Sequence, residues 1–156
     1  MRIHLLTVGS RRPQWEQQGY QEYARRLPKE CALELREIPL ARPAGRSSRE
    51  RRLEDEGKRL LKAVPAKARL IGLDERGQSW SSQDLAQQLQ LWLEDSRDIA
   101  LLVGGPDGLA KACKTATERC WSLSPMTLPH GLVRILIAEQ LYRAWTILQG
   151  HPYHRD

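Results

Sequence analysis

The C-terminal third of the chain carries the feature that most limits how it can fold. Residues 123–145 read LSPMTLPHGLVRILIAEQLYRAW, an apolar loop that leads into a helix with apolar residues on almost every side. That helix nevertheless carries Arg134, Glu139 and Arg143. Burying charges is costly unless they are paired or bind something. The sequence therefore predicts a buried loop, a buried helix and a ligand pocket close to both.

Length and composition indicate one domain of ordinary size. A chain of 156 residues can bury its own core. No apolar run approaches the ~18 residues of a membrane span, and no segment resembles a signal peptide. Cys31, Cys113 and Cys120 lack the spacing of a disulfide framework or a metal site. We expect a cytoplasmic protein with buried, reduced thiols, and neither a membrane partner nor a metal ion.

The net charge of +6 is distributed unevenly along the chain. Residues 1–62 contain 15 Lys and Arg against 9 Asp and Glu, whereas residues 63–156 contain 10 of each kind. A basic surface confined to one part of a protein favours the phosphate backbone of a nucleic acid. A basic protein without such a partner is the alternative.

Hydrophobic periodicity and turn signals predict alternating strands and helices. Strands are expected at 2–9, 32–39, 68–74, 98–105 and 121–124, and helices at 13–27, 49–64, 82–95, 109–119 and 131–149. This order is typical of an α/β fold with a mostly parallel sheet flanked by helices. A basic, mobile loop at 40–48 is expected as an insertion in this single domain, which spans 1–156.

Two loops that follow predicted strands are candidates for ligand binding, because ligands of open α/β sheets bind beyond the carboxyl ends of strands. The first is GGPDGL at 104–109, where glycines allow close approach of a backbone. It contains neither a phosphate loop nor a dinucleotide fingerprint, so an ordinary turn is the alternative. The second is 123–128, whose backbone groups need partners if the loop is buried.

Polar residues in and after the last helix are candidates for chemistry. His130 starts the helix, where the helix dipole favours a neutral imidazole. Glu139 and Arg143 lie four residues apart, which fits a surface ion pair or a ligand-bound pair. The tail HPYH at 151–154 followed by Arg155 suits base stacking and phosphate contact, although frayed ends are common.

Taken together, LLVGGPDGL, the 123–145 segment and HPYH resemble the bacterial large-subunit ribosomal RNA pseudouridine N3-methyltransferase family (the RlmH family). This family belongs to the SPOUT, or α/β-knot, methyltransferases. The resemblance extends over the whole chain, and it includes the opening strand and GYQEYARRLP at 19–28. It implies a C-terminal trefoil knot at about 99–156 and a homodimer with the last helix at the interface.

The resemblance also implies a cofactor, a substrate and site residues. S-adenosylmethionine would be held by knot loops, and the substrate would be a pseudouridine in the helix 69 loop of 23S rRNA in the assembled 70S ribosome. The implied cofactor-binding residues are Leu73, Gly104, Leu123, Ser124, Pro125, Met126, Thr127 and Leu128. The candidate catalytic residues are His130, Glu139, Arg143, Tyr153, His154 and Arg155.

Three other functions remain open at the level of sequence. A knotted methyltransferase could act on tRNA or on another rRNA atom with the same fold and cofactor. A non-catalytic, ribosome-associated RNA-binding protein would need the basic N-terminal part but not the 123–128 loop. A flavodoxin-like phosphate or nucleotide binder would need a phosphate loop, which this chain lacks.

Overall fold

A five-stranded parallel sheet forms the centre of the protein. The structure, a computed structural model, describes residues 1–9, 12–41 and 48–154, apart from the side chain of His154. The strands lie side by side in the order β2-β1-β4-β3-β5. Their bounds are Arg2–Val8 (β1), Ala32–Ile38 (β2), Arg69–Ser79 (β3), Ile99–Val103 (β4) and Arg119–Ser122 (β5). The predicted α/β fold with a parallel sheet is confirmed.

Helices cover both faces of this sheet. Their bounds are Gln14–Ala24 (α1), Arg49–Ala63 (α2), Ser82–Asp95 (α3), Lys111–Ala116 (α4) and His130–Gln149 (α5). One apolar core joins α1, α3 and α5 to one face, and a second joins α2 and α4 to the other. β4 is buried along its whole length, as its uninterrupted apolar sequence predicts.

Two helices begin with serine caps. The hydroxyl of Ser48 accepts a hydrogen bond from the backbone N–H of Arg51 at the start of α2. Ser81 and Asp84 form a reciprocal capping box at the start of α3. The residues 42–47 of the predicted mobile loop, and Arg155 and Asp156 of the tail, lie outside the described residues.

Several predicted boundaries were wrong. β3 continues to Ser79 instead of ending at 74, because a bulge between Leu73 and Gln78 lets its second half pair with β5. β5 itself begins at Arg119, and this shortens α4. α1 ends at Ala24, since Pro28 disfavours helical geometry just before it.

The prediction that the 123–128 loop is buried was also wrong. Pro125, Met126 and Thr127 are exposed, and the Met126 side chain is 72% accessible. The loop stands at the rim of an open cavity, where Met126 projects outward while Leu123 and Leu128 are half-buried. The sequence correctly indicated an unusual loop at the end of a strand but not its exposure.

Candidate active site

A cavity of about 780 Å³ opens beyond the carboxyl ends of the strands. The ends of β1 and β4, the bulge of β3, the loop after β5 and the first turn of α5 all contribute to its wall. Seven of the eight residues predicted to bind a cofactor line it: Leu73, Gly104, Leu123, Ser124, Met126, Thr127 and Leu128. Pro125 lies exposed in the same loop, outside this lining. The structure therefore brings the two predicted loops together.

The loop after β4 folds back tightly on itself. The backbone N–H of Gly108 donates to the carbonyl of Gly105 at 2.9 Å, and Gly108 has a φ of +86°. A Cβ on Gly104 would overlap the carbonyl of Gly108. Gly104 is thus required by close backbone packing at the cavity wall.

Hydrogen bonds tie the 123–128 loop to the unpredicted extension of β3. The Ser122 hydroxyl lies 3.0 Å from the carbonyl oxygens of both Glu75 and Ser124. The Thr127 hydroxyl donates to the Glu75 carboxylate at 2.7 Å, and the Ser124 hydroxyl accepts from the Met126 N–H at 3.0 Å. The bulged strand therefore fixes the shape of this side of the cavity.

Ion pairs surround the opening of the cavity. Arg49 pairs with Asp107 at 2.9 Å, and Lys114 pairs with Asp74 at 2.9 Å. Partial burial acts to raise the pKa of Asp74, but Lys114 and the backbone N–H of Arg76 together lower it by more, so the pKa is below its ordinary value. The rim of the cavity therefore carries both cations and carboxylates.

His130 anchors the loop after β4 to α5. Its Nε2 lies 2.8 Å from the carbonyl oxygen of Gly104. Because a carbonyl can only accept, Nε2 must carry a proton, which leaves Nδ1 as the lone-pair nitrogen of the neutral ring. Nδ1 is buried and makes no hydrogen bond within the described part of the chain. Burial lowers the pKa of His130, with Arg134 and Arg12 acting in the same direction, so the ring stays neutral at physiological pH.

Buried charges support this first turn of α5. Arg134, only 3% exposed, donates to the carbonyl of Gly9 at 3.1 Å and lies 3.6 Å from the Glu37 carboxylate. The buried carboxylate of Glu16 pairs with Arg12 at 2.7 Å and lies against Gly131, where a carboxylate complements the helix dipole. These contacts attach α5 to the ends of β1 and β2.

The other described catalytic candidates form a second cluster near the end of α5. One oxygen of the Glu139 carboxylate accepts from Arg143 Nε and from the Tyr153 hydroxyl, both at 3.0 Å. The other oxygen accepts from the side-chain amide of Gln140 at 2.7 Å. The Arg143 guanidinium also lies 5.0 Å from the centre of the Tyr153 ring. Burial and the Glu139 carboxylate raise the pKa of Tyr153 to about 12.

Within one chain, the predicted catalytic residues therefore form two separate groups. His130 lines the cavity, whereas Glu139 lies nine residues further along α5, roughly 13 Å away along the helix axis. The side chain of His154 and the whole of Arg155 lie outside the described residues.

Some residues of the site were not found from the sequence. Arg12 and Glu16 are spaced as an ordinary helical ion pair, and only their burial against α5 distinguishes them. Glu75 was placed in a loop because the bulge in β3 hides its pattern. Among the described residues, no group of three or more His, Cys, Asp or Glu is arranged to hold a metal ion. Across the same residues, no helix is both long and apolar enough to span a bilayer.

Known structures share this fold. A methylase family protein from Haemophilus influenzae Rd KW20 aligns over 97% of this chain and 69% of its own, with 14% identity and a TM-score of 0.53. A methylase family protein from Neisseria gonorrhoeae aligns over 90% and 81%, with 13% identity and a TM-score of 0.53. At this identity the likeness concerns the fold alone.

Sequence comparison identifies the class of protein and then the family. Residues 1–154 match a family model described as "Predicted SPOUT methyltransferase", so the class is that of the SPOUT methyltransferases. Proteins named ribosomal RNA large subunit methyltransferase H are 55% identical in Methylococcus capsulatus, over 99% of this chain and 100% of that protein, and 56% identical in Alkalilimnicola ehrlichii, over 99% of both. The chain belongs to this methyltransferase H family of SPOUT enzymes.

Proposed function

We propose that this enzyme transfers a methyl group from S-adenosylmethionine to a base of large-subunit ribosomal RNA. The main support is the cavity at the strand ends. His130 lines it, and at Gly104 its wall has no room for a Cβ atom. The relatives' names supply the substrate class. The family resemblance supplies the finer proposal, N3 of a pseudouridine in the helix 69 loop of 23S rRNA.

The residues around the cavity fit S-adenosylmethionine. Its volume lies within the range of about 300–1,000 Å³ that is usual for small-molecule sites. Leu73, Leu123 and Leu128 are half-buried and offer apolar contact to an adenine ring, while three glycines of the loop after β4, Gly104, Gly105 and Gly108, line the cavity and leave its backbone groups open to a ligand. Leu73, Gly104 and the 123–128 loop are therefore the residues we propose to hold the cofactor.

The protein's task in this reaction is alignment. S-adenosylmethionine, when bound, supplies a methyl group on a positively charged sulfur. The imide nitrogen would give its proton to water at the open cavity as it takes the methyl group, and the cofactor would leave as a neutral thioether. Holding both reactants in line can contribute about 7–11 kcal/mol, whereas a general base adds roughly 10²–10⁴-fold. The residues that position the nucleotide therefore matter most.

The second cluster is suited to hold the nucleotide. Both oxygens of Glu139 are already engaged, so we assign this carboxylate to orienting Arg143 and Tyr153. Tyr153 keeps its proton at neutral pH because its pKa is raised to about 12. His130 donates to Gly104 and is assigned to holding the cofactor loop. His154 and Arg155 remain candidates for contact with the nucleotide.

A homodimer would bring the two groups together. Four residues of α5 follow the helical spacing i, i+4, i+7 and i+11 and so share one face: Leu132, Leu136, Glu139 and Arg143. Leu132 and Leu136 are each 38% exposed, and Trp15 on the adjacent α1 is 57% exposed. Pairing these apolar residues across a two-fold axis would hide them from water.

Such a pairing would make each active site composite. If the two copies of α5 cross in opposite directions, the charged end of one lies beside the first turn of the other, where the cavity opens. Glu139, Arg143 and the tail of one protomer would then face the cofactor pocket of its partner. The same passage of α5 across the sheet, with its first turn fixed to the loops after β1 and β4, agrees with the trefoil knot we propose for 99–156.

The decisive experiment measures methyl transfer from radiolabelled S-adenosylmethionine to ribosomal particles. Large subunits and 70S ribosomes from cells lacking the gene should accept one methyl group each, located by mass spectrometry of 23S rRNA fragments. Calorimetry should detect cofactor binding, and Gly104→Ala should weaken it, with thermal unfolding of the variant as the check that the fold is kept.

A short RNA hairpin should be a poor substrate, because this small protein has few elements with which to read RNA sequence. Labelled tRNA, or transfer to another rRNA atom, would contradict the finer proposal. Absence of methyl transfer to any ribosomal particle would contradict the function itself.

A further inference from the structure

We infer that Arg26, at the C-terminal end of α1, is a further RNA-binding residue that holds a phosphate group beside the target nucleotide. This rests on the proposed function, and it adds a residue outside the predicted catalytic set.

Arg26 lies beside the cluster proposed to hold the nucleotide. Its guanidinium carbon is 5.6 Å from the centre of the Tyr142 ring and 5.5 Å from that of Tyr23. The Tyr142 ring packs edge-on against Tyr153 at 4.7 Å, and Tyr153 bonds to Glu139. Arg26, Tyr153 and Arg143 therefore belong to one continuous surface of aromatic rings and guanidinium groups.

This surface has the composition that single-stranded RNA requires. Aromatic rings stack on bases, and a guanidinium held in a fixed plane binds phosphate with two parallel hydrogen bonds. The Arg26 side chain remains 38% exposed despite its two ring contacts, and Arg25 beside it is 69% exposed. A ribosomal loop entering the site would thus meet two cations next to the tail.

Glu22 supplies the sharpest test of this role. Its carboxylate binds Arg25 at 2.6 Å and Arg26 at 2.5 Å, so in the free protein it occupies the position that a phosphate would take. RNA must displace this carboxylate or share the two cations with it. Removing the negative charge of Glu22 should therefore strengthen RNA binding. If Glu22, Arg25 and Arg26 have a purely structural role, RNA binding should be unchanged or weaker.

The experiment compares Arg26→Gln, Arg26→Lys and Glu22→Gln in methylation of large subunits from cells lacking the gene, at several salt concentrations. Arg97→Gln is the matched control, because Arg97 is 53% exposed, pairs with Asp95 and lies in the half of the chain without net charge. Calorimetry with S-adenosylmethionine and thermal unfolding are recorded for each variant.

Arg26→Gln should raise KM for subunits about tenfold, as expected for a lost charge-assisted hydrogen bond, with cofactor binding unchanged. The slope of log(kcat/KM) against log salt should fall by about 0.7–0.9, the value for one phosphate contact, and Arg26→Lys should restore that slope. Glu22→Gln should lower KM about two- to fivefold.

Equal KM values and salt slopes for Arg26→Gln and Arg97→Gln would overturn the inference while the wild-type enzyme still methylates subunits. An unchanged or raised KM for Glu22→Gln would also overturn it. Failure of the wild-type enzyme to methylate any particle would instead overturn the proposed function.

Discussion

Replacing His130 tests whether the hydrogen bond to Gly104 builds the cofactor pocket. His130→Leu introduces an apolar side chain of similar size and leaves the Gly104 carbonyl without its hydrogen-bond donor. The Gly104 carbonyl is half-buried in the open cavity, and leaving it unsatisfied once a cofactor covers it costs about 1–3 kcal/mol. If the loop moves so that this carbonyl finds another hydrogen-bond donor, cofactor binding must move the loop back and therefore costs the same free energy. The dissociation constant of S-adenosylmethionine should then rise about 5- to 150-fold.

His130→Gln is the matched variant for this test. The amide nitrogen of glutamine can reach the same carbonyl, so cofactor binding should stay within about threefold of wild type. Calorimetry measures both constants, and thermal unfolding checks that both variants fold. Wild-type affinity in His130→Leu would refute the assignment of this histidine to loop positioning. Equal weakening in both variants would point to direct contact between the imidazole and the cofactor.

Three further outcomes are expected. Leu132→Glu together with Leu136→Glu should give monomers in light scattering and abolish methyl transfer while each monomer still binds cofactor; a stable dimer would place the interface elsewhere. Deletion of residues 151–156 should lower kcat at least 100-fold with cofactor binding intact, since Tyr153 and its neighbours align the nucleotide; near-normal turnover would show the tail to be dispensable. The pKa of His130 is lowered from its ordinary value of 6.5, so the unfolded chain binds the proton more readily than the folded protein does. The free energy of unfolding should therefore fall as the pH drops below about 6.5, and it should fall less in His130→Gln. Identical pH profiles of the two proteins in urea unfolding would contradict this.

Much of the fold was predictable because local signals agreed with one another. The serine caps of α2 and α3 and the uninterrupted apolar run of β4 each have a physical cause that acts over a few residues. The two loops of the cavity were found for the same reason, since loops after parallel strands gather at one edge of a sheet. Cys31 and Cys113 are buried as expected, whereas Cys120 is only half-buried.

What the sequence could not show depends on contacts between distant residues. The extension of β3 arises from its pairing with β5, and no local sequence pattern indicates that the two strands pair. The burial of Arg134 and Glu16 follows from the docking of α5 against α1 and β1. The separation of His130 from the Glu139 cluster is a matter of distance along one helix, which a list of candidate residues does not reveal. The composite site proposed across two protomers would bring these two groups together.

The contacts of the first turn of α5 also govern when the protein can become active during its own synthesis. Arg134 bonds to Gly9, 125 residues earlier in the chain, and His130 bonds to Gly104. Chains fold from the N-terminus as they are made, and contacts between distant residues form slowly. The cofactor pocket can therefore close only after α5 has been synthesised and has docked against strands that are already in place.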